Sequence, residues 1–520
     1  MKKIKLFILF ICLCSFKVGF ATNIENTDYV QILIYCQSLG MGWEAPRAIT
    51  TNPIEGNYML SNSPLMRSNL PTPTTLSPLV ASIWGSGGEQ PIVSCVNAFS
   101  DMYRQNINPN QKFIGMTAGE GGRTIERLSK ECTNNGYYET SFLKTLNGTL
   151  NAMKTGETVS CPAIVYMQGE YNCNELSWYL NQGLTPGTNG TTDKDEYKRL
   201  LLVLKNNMQN DIMQKYGQSK KPLFFIYQVS GAFIRDRDMP IAMAQYEFAQ
   251  ENDDVIMLNP HYGLPDYGGG HLSTNGYRWY GEIIGNILYD VLAENKTYTT
   301  VHPTNFTING NKLIIDYYVP EPPLVLDTWT NNKATDFGFS VYNNNSTTII
   351  QGVEIVDGNK VVITTDKDLT GKEIEVVYAG NKTNGTGNVC DSYSHISKYT
   401  FFDDSADTKK ESYTPKDKVG NNIYGKNYPM QNWSVGFYYK FPTKTGLSDN
   451  HIEKSIKVWP NPTTGIVNIE NMSYDQSVSV FDYIGELLMQ SKSSQLDLSS
   501  FTNGVYFVKT SNAVSKIIKY

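Results

Sequence analysis

The sequence predicts an α/β unit built on a parallel sheet, with two β-rich units after it. Three observations carry that reading. From Asp28 to about Asn295, short apolar runs alternate with amphipathic stretches. Beyond Lys296 the chain turns to β-rich runs separated by Asn-Gly and Asp-Gly turns. From about Ile456 a further β-rich series begins.

In the first unit the strand-sized runs are Tyr29 to Tyr35, Lys112 to Met116, Ala163 to Met167, Leu223 to Val229 and Val255 to Leu258, each bounded by Gly, Pro or Asn. Between them, Asp195 to Tyr216 repeats Leu200, Leu201, Leu204, Met208 and Met213 at helical spacing, and Gly276 to Leu292 reads as a helix after the last strand. Strand and helix in alternation give a parallel sheet covered on both faces, whose ligands bind beyond the carboxyl ends of the strands. In the second unit Phe306 to Ile308, Lys312 to Val319, Phe339 to Tyr342, Gly352 to Val356, Lys360 to Thr364 and Glu373 to Tyr378 read as a small β-sandwich. Phe402 to Tyr439 is expected to wrap that same module.

With 520 residues, 18% charged and 40% hydrophobic, the chain has material for large cores. Its 44 Lys and Arg against 50 Asp and Glu, net charge −6, argue against nucleic acid as a partner. Lys2, Lys3 and Lys5 precede the apolar run Leu6 to Cys14, and Gly19-Phe20-Ala21 offers small residues for cleavage after Ala21. That run is too short for a transmembrane anchor, so a secreted protein is expected. Cys36, Cys95, Cys132, Cys161, Cys173 and Cys390 remain in the mature chain, too few for a disulfide scaffold, and no pairing is assigned. The expected organisation is a signal peptide over 1–21, the α/β domain over 22–295, a β-rich accessory domain over 296–445, a linker over 446–455 and a C-terminal β-sandwich over 456–520. The accessory domain suits a spacer or a glycan-binding module.

The C-terminal series runs Val458-Trp459-Pro460-Asn461-Pro462-Thr463-Thr464-Gly465, Val478-Ser479-Val480-Phe481-Asp482-Tyr483-Ile484-Gly485, Leu496-Asp497-Leu498-Ser499, Gly504-Val505-Tyr506-Phe507-Val508-Lys509 and Lys516-Ile517-Ile518-Lys519. It closely resembles the type A C-terminal sorting domain of the Bacteroidetes type IX secretion system. The resemblance implies that the type IX secretion machinery is a partner, with passage through the periplasm and outer membrane. Removal of the sorting domain then leaves a released or surface-attached protein.

Chemistry-bearing residues gather at the predicted strand ends. P-loop, H-E-x-x-H and C-x-x-C signatures are missing, and five His argue against a His-rich metal site, so neither metal nor cofactor is expected. After the first strand, Ser38 in Gln37-Ser38-Leu39-Gly40 sits where it could expose a hydroxyl and an amide to a substrate, or serve as a turn or capping residue. Gly119-Glu120-Gly121-Gly122-Arg123 supplies flexible backbone with exposed amides. In Gln168-Gly169-Glu170, Gln168 could donate to an oxyanion and Glu170 could orient other groups. His271 opens the terminal helix at the same edge and suits a general base, with His261 as its competitor.

Together these four segments resemble the SGNH hydrolases, in particular the sialate O-acetylesterase and acetylxylan esterase branch of carbohydrate esterases, over roughly residues 28 to 295. The resemblance implies a flavodoxin-like α/β fold and an acetylated carbohydrate substrate. It implies Ser38 as nucleophile, His271 as base, and the amides of Ser38 and Gly122 with the side chain of Gln168 as the oxyanion hole. Three positions depart from that pattern: Cys36 replaces a Gly, Arg123 interrupts a Gly-Gly-Thr block, and Gly268 stands where the triad acid belongs. Asp266, five residues before His271, could fold back as a displaced acid, or a backbone carbonyl could hold the ring in a Ser-His dyad. The expected function is therefore a secreted carbohydrate O-acetylesterase. A surface glycan-binding or adhesive protein that has lost turnover is the rival.

Overall fold

The computed structural model describes residues 24–132, 136–173, 190–267, 270–405, 413–442, 457–470, 477–482, 486–510 and 514–520. The expected signal peptide, the linker and Gly268 lie outside the described residues. The chain divides into two compact units, Met1–Pro442 and Thr443–Tyr520.

The first unit is organised by a sheet of β1 (Tyr29–Cys36), β2 (Asn57–Leu60), β3 (Leu65–Met66), β4 (Leu76–Pro78), β5 (Lys112–Gly119), β6 (Val159–Met167), β7 (Leu223–Ile226) and β8 (Val255–Met257). Their order is β4-β2-β5-β1-β6-β7-β8, with β3 also on β5. The path β5-β1-β6-β7-β8 is parallel throughout and has the flavodoxin-like order, whereas β4 runs antiparallel on β2. Every residue of β1 and β6 is buried. Helices cover both faces of such a sheet, which is why these strands read as continuous apolar runs rather than as an alternation.

Register decides what meets at the sheet edge. Cys36 pairs with Gly119 on one side and with Met167 on the other. The residues that follow, Gln37-Ser38, Glu120-Gly121-Gly122 and Gln168-Gly169-Glu170, therefore emerge side by side at the carboxyl ends of three adjacent strands. The order reverses here, with β5 and β6 on opposite sides of β1, so a crevice opens beyond β1.

The helix Thr274–Leu288 starts from a Ser273 cap, whose hydroxyl accepts from the Gly276 amide, and passes into a π-turn at Tyr289–Ala293. It packs on the helix Pro91–Asn106 with almost no gap: a Cβ on Gly281 would lie 2.1 Å from the Pro91 carbonyl oxygen. The predicted helix at Asp195 is Lys194–Tyr216, capped by Asp193.

The expected β-sandwich is present. One sheet holds Ile350–Val356, Lys360–Thr365, Lys312–Tyr318 and His302–Asn309, and the other holds Ser346–Thr347, Phe339–Asn343, Ile374–Tyr378 and Phe437–Lys440. Leu313, Ile315, Val341, Ile363, Val376 and Phe437 form its core. The segment before Phe437 meets the expectation only in part: Trp433 joins this core and bridges to Cys390. Phe401, Ile423, Tyr428, Met430 and Val435 belong to the core of the α/β sheet instead. Polar contacts explain the choice: Arg278 Nε donates to Tyr428 Oη at 2.9 Å, Asn275 Nδ2 to the Phe402 carbonyl at 3.0 Å, and Ser397 Oγ to the Glu282 carboxylate at 2.6 Å. The terminal helix thus acquires a cover from chain more than 100 residues downstream.

In the second unit, a three-stranded sheet (Val458–Trp459, Ile466–Ile469, Gln495–Asp497) and a four-stranded sheet (Leu487–Ser491, Val478–Phe481, Gly504–Lys509, Val514–Lys519) enclose Val467, Val480, Leu498, Val508 and Ile517.

Candidate active site

Ser38 begins a 3-10 turn, Ser38–Met41, directly after β1. The Gln37 amide donates to the Met167 carbonyl at 3.0 Å and the Trp43 amide to the Ser38 carbonyl at 3.2 Å, so the turn is pinned on both sides of the hydroxyl. His271 lies within the loop closed by the bridge between Asp266 and Leu272, three residues before the terminal helix begins at Thr274. Its Nε2 is 2.8 Å from Ser38 Oγ. With the ring proton on Nδ1, the serine hydroxyl donates to Nε2, the arrangement a general base needs. Phe233 sets its ring edge to face against the imidazole at 6.2 Å.

The glycine block stands beside the serine. A Cβ on Gly121 would lie 3.9 Å from Ser38 Cβ, and Gly122 adopts a φ of 62°, a conformation that suits glycine. Ser38, Gly122 and His271 line one cavity of about 430 Å³. Trp43 and Trp84 form its aromatic wall, with centroids 5.3 Å apart, and the Arg67 guanidinium sits 4.9 Å over the Trp84 ring. Flat aromatic faces of this kind suit the apolar faces of sugars.

Gln168 departs from its expected role. It is fully buried; its Nε2 donates to Asn172 Oδ1 at 2.7 Å and to the Arg123 carbonyl at 3.2 Å, while its Oε1 accepts from Tyr197 Oη at 2.7 Å. Both amide hydrogens are spent on the loop behind the cavity, so this side chain ties the glycine block to its neighbour rather than facing a substrate oxygen.

Glu170 is buried yet borders the cavity. It accepts from Gln37 Nε2 and Tyr227 Oη, and burial pushes its carboxyl up to about 7. His261 is the deeper imidazole, stacked on Tyr227 at 5.3 Å, with Nε2 4.0 Å from Glu170 Oε1. Burial, and then the neighbouring His271, hold it down to about 3, which favours its neutral form. Asp266 borders a different cavity, of about 190 Å³, beside His261 and Tyr262. Glu44 escaped the sequence reading: its Oε2 is 3.7 Å from His271 Nδ1. Among the described residues no group of three or more His, Cys, Asp or Glu is arranged to hold a metal, and Cys36, Cys95, Cys161, Cys173 and Cys390 are free thiols.

Residues 457–520 match the secretion system C-terminal sorting domain. This marks the chain for export by the type IX system to the cell surface or beyond, and no helix among the described residues is long and apolar enough to cross a membrane. No curated protein matches the chain. Among solved structures, a carbohydrate acetylesterase from Xanthomonas citri aligns at 11% identity over 78% of this chain and 80% of its own, with a TM-score of 0.45. NanS aligns at 13% identity over 52% and 99%, with a TM-score of 0.37. An active-site mutant of a family two carbohydrate esterase from Clostridium thermocellum aligns at 8% identity over 50% and 63%, with a TM-score of 0.27.

Proposed function

We propose that this exported protein is a serine esterase that removes O-acetyl groups from carbohydrates. The observation that carries the reading is the 2.8 Å contact between Ser38 Oγ and His271 Nε2 at the mouth of an aromatic-walled cavity, beside the Gly121-Gly122 backbone. Ser38 Oγ attacks the ester carbonyl while His271 Nε2 takes its proton. The carbonyl π electrons move onto oxygen, and the amides of Ser38 and Gly122 stabilise that oxyanion. On collapse the bond to the sugar oxygen breaks, and the imidazolium returns its proton to that oxygen. Water, deprotonated by the same imidazole, then cleaves the acyl-enzyme and restores Ser38.

The substrate class is supported by walls that combine the aromatic rings of Trp43, Trp84 and Tyr171 with the polar side chains of Arg67 and Glu120. Hydrolysis of p-nitrophenyl acetate by the purified protein and by a Ser38→Ala variant tests the chemistry. Release of acetate from a panel of acetylated glycans tests the substrate class. A rate that depends on Ser38 is expected. Equal rates in the two proteins would favour the rival, a binding protein without turnover.

A further inference from the structure

The imidazole that serves Ser38 has a glycine three residues before it, where its carboxylate partner was expected. The geometry points to Glu44 as that partner, a positioning residue contributed by the nucleophile's own loop; this inference rests on the esterase reading. Glu44 follows Ser38 by six positions. Its Oε2 lies 3.7 Å from His271 Nδ1, and the other ring nitrogen faces Ser38 Oγ. Hydroxyl, imidazole and carboxylate thus stand in the sequence a triad requires.

Glu44 stands at a left-handed position of the turn that follows Ser38. Its φ is 66°, in the left-handed region where a side chain costs about 1 kcal/mol or more. The preceding turn is clamped: a Cβ on Gly42 would lie 2.1 Å from the Glu89 carbonyl oxygen, and the Gly88 amide donates to the Gly42 carbonyl at 3.2 Å. Between them, the Trp43 carbonyl accepts from Tyr277 Oη at 2.8 Å, and Tyr277 stands on the helix that begins just after His271. One hydrogen bond therefore ties the Glu44 loop to the His271 helix, a single residue from Glu44 itself. Asp266, the nearer carboxylate in sequence, borders the separate cavity beside His261.

At 3.7 Å the contact is longer than a hydrogen bond, and such catalytic contacts commonly shorten once substrate is bound. When Nε2 takes the Ser38 proton, the ring becomes a cation beside this carboxylate. Glu44 then stabilises the imidazolium without itself changing protonation. With 36% of its side chain exposed, Glu44 is partly screened by water, so its effect falls below the ~10⁴-fold of a fully engaged buried acid.

The test compares the full chain with its Ser38→Ala, His271→Ala, Glu44→Gln and Glu44→Gly variants on p-nitrophenyl acetate, with melting curves for each. Glu44→Gln and Glu44→Gly should both lower kcat by about 10²-fold with KM held within about twofold. Glycine adopts the φ of 66° without strain, so Glu44→Gly should melt at or above the wild-type temperature while still losing rate, a result that a merely structural role does not produce. Wild-type kcat in either Glu44 variant, with Ser38→Ala and His271→Ala inactive, would overturn this role and leave the esterase reading standing. A change in KM alone would make Glu44 a substrate contact and overturn it too. Wild-type activity in Ser38→Ala would end both.

Discussion

Glu170 borders the crevice as a buried carboxyl whose neighbours are the Gln37 amide, the Tyr227 hydroxyl and the neutral His261 ring. Because burial raises it to about 7 from an ordinary 4.5, the native state holds this proton more tightly than the unfolded chain does. Its contribution to stability is present below 4.5 and is lost as pH rises through about 7. Glu170→Gln has no charge to bury, so its melting temperature should gain on the wild type between pH 5 and pH 8. A difference independent of pH would mean that the carboxylate is ionised throughout. Asp266 makes the second test at this scale. Its backbone pairs with Leu272 and it borders its own cavity, so Asp266→Asn should cost less than about tenfold in kcat, whereas His271→Ala should be nearly inactive. Steady-state kinetics on one acetyl ester checks both, and equal losses would restore Asp266 as a displaced acid.

At the scale of elements, the site depends on how closely the two helices behind it approach. Gly281→Ala would thrust a methyl to 2.1 Å from the Pro91 carbonyl and Ser94 Oγ, forcing the helices apart. Overpacking of this kind costs about 1–3 kcal/mol, so thermal denaturation should show a clear drop in melting temperature. An unchanged melting curve would mean that the helix pair yields without strain. The strand ends were legible in the sequence because each long core strand is a continuous apolar run closed by Gly, Gln or Asn, and the parallel register then sets Ser38, Gly122 and Glu170 at one edge. β2, β3 and β4 were not legible. They span two to four residues and join the sheet through pairings such as Tyr58 with Ile114, which no local pattern announces. Glu44 and Gln168 illustrate the same limit at the site. A carboxylate reaches the imidazole from a loop more than 200 residues earlier, and an amide that looked suited to an oxyanion is spent on Asn172 and Arg123. The cover laid by Phe401 and Tyr428 on the terminal helix is likewise a product of tertiary packing, since its polar sequence carries neither period.

For the molecule as a whole, the sorting domain at 457–520 sets where the chemistry takes place. If the ends are sorting signals, the extracellular form should begin near Thr22 and lack everything beyond about Leu447 to Ser455. Intact-mass and terminal sequencing of protein from medium or cell surface checks this, and a mature form retaining Tyr520 would contradict it. The central claim is that Ser38 is a nucleophile activated by His271, and covalent capture tests it most directly. Incubation with diethyl p-nitrophenyl phosphate, followed by peptide mass spectrometry, should place one diethylphosphoryl group per chain on Ser38 and none in His271→Ala. Labelling at another residue, or equal labelling in His271→Ala, would contradict the account.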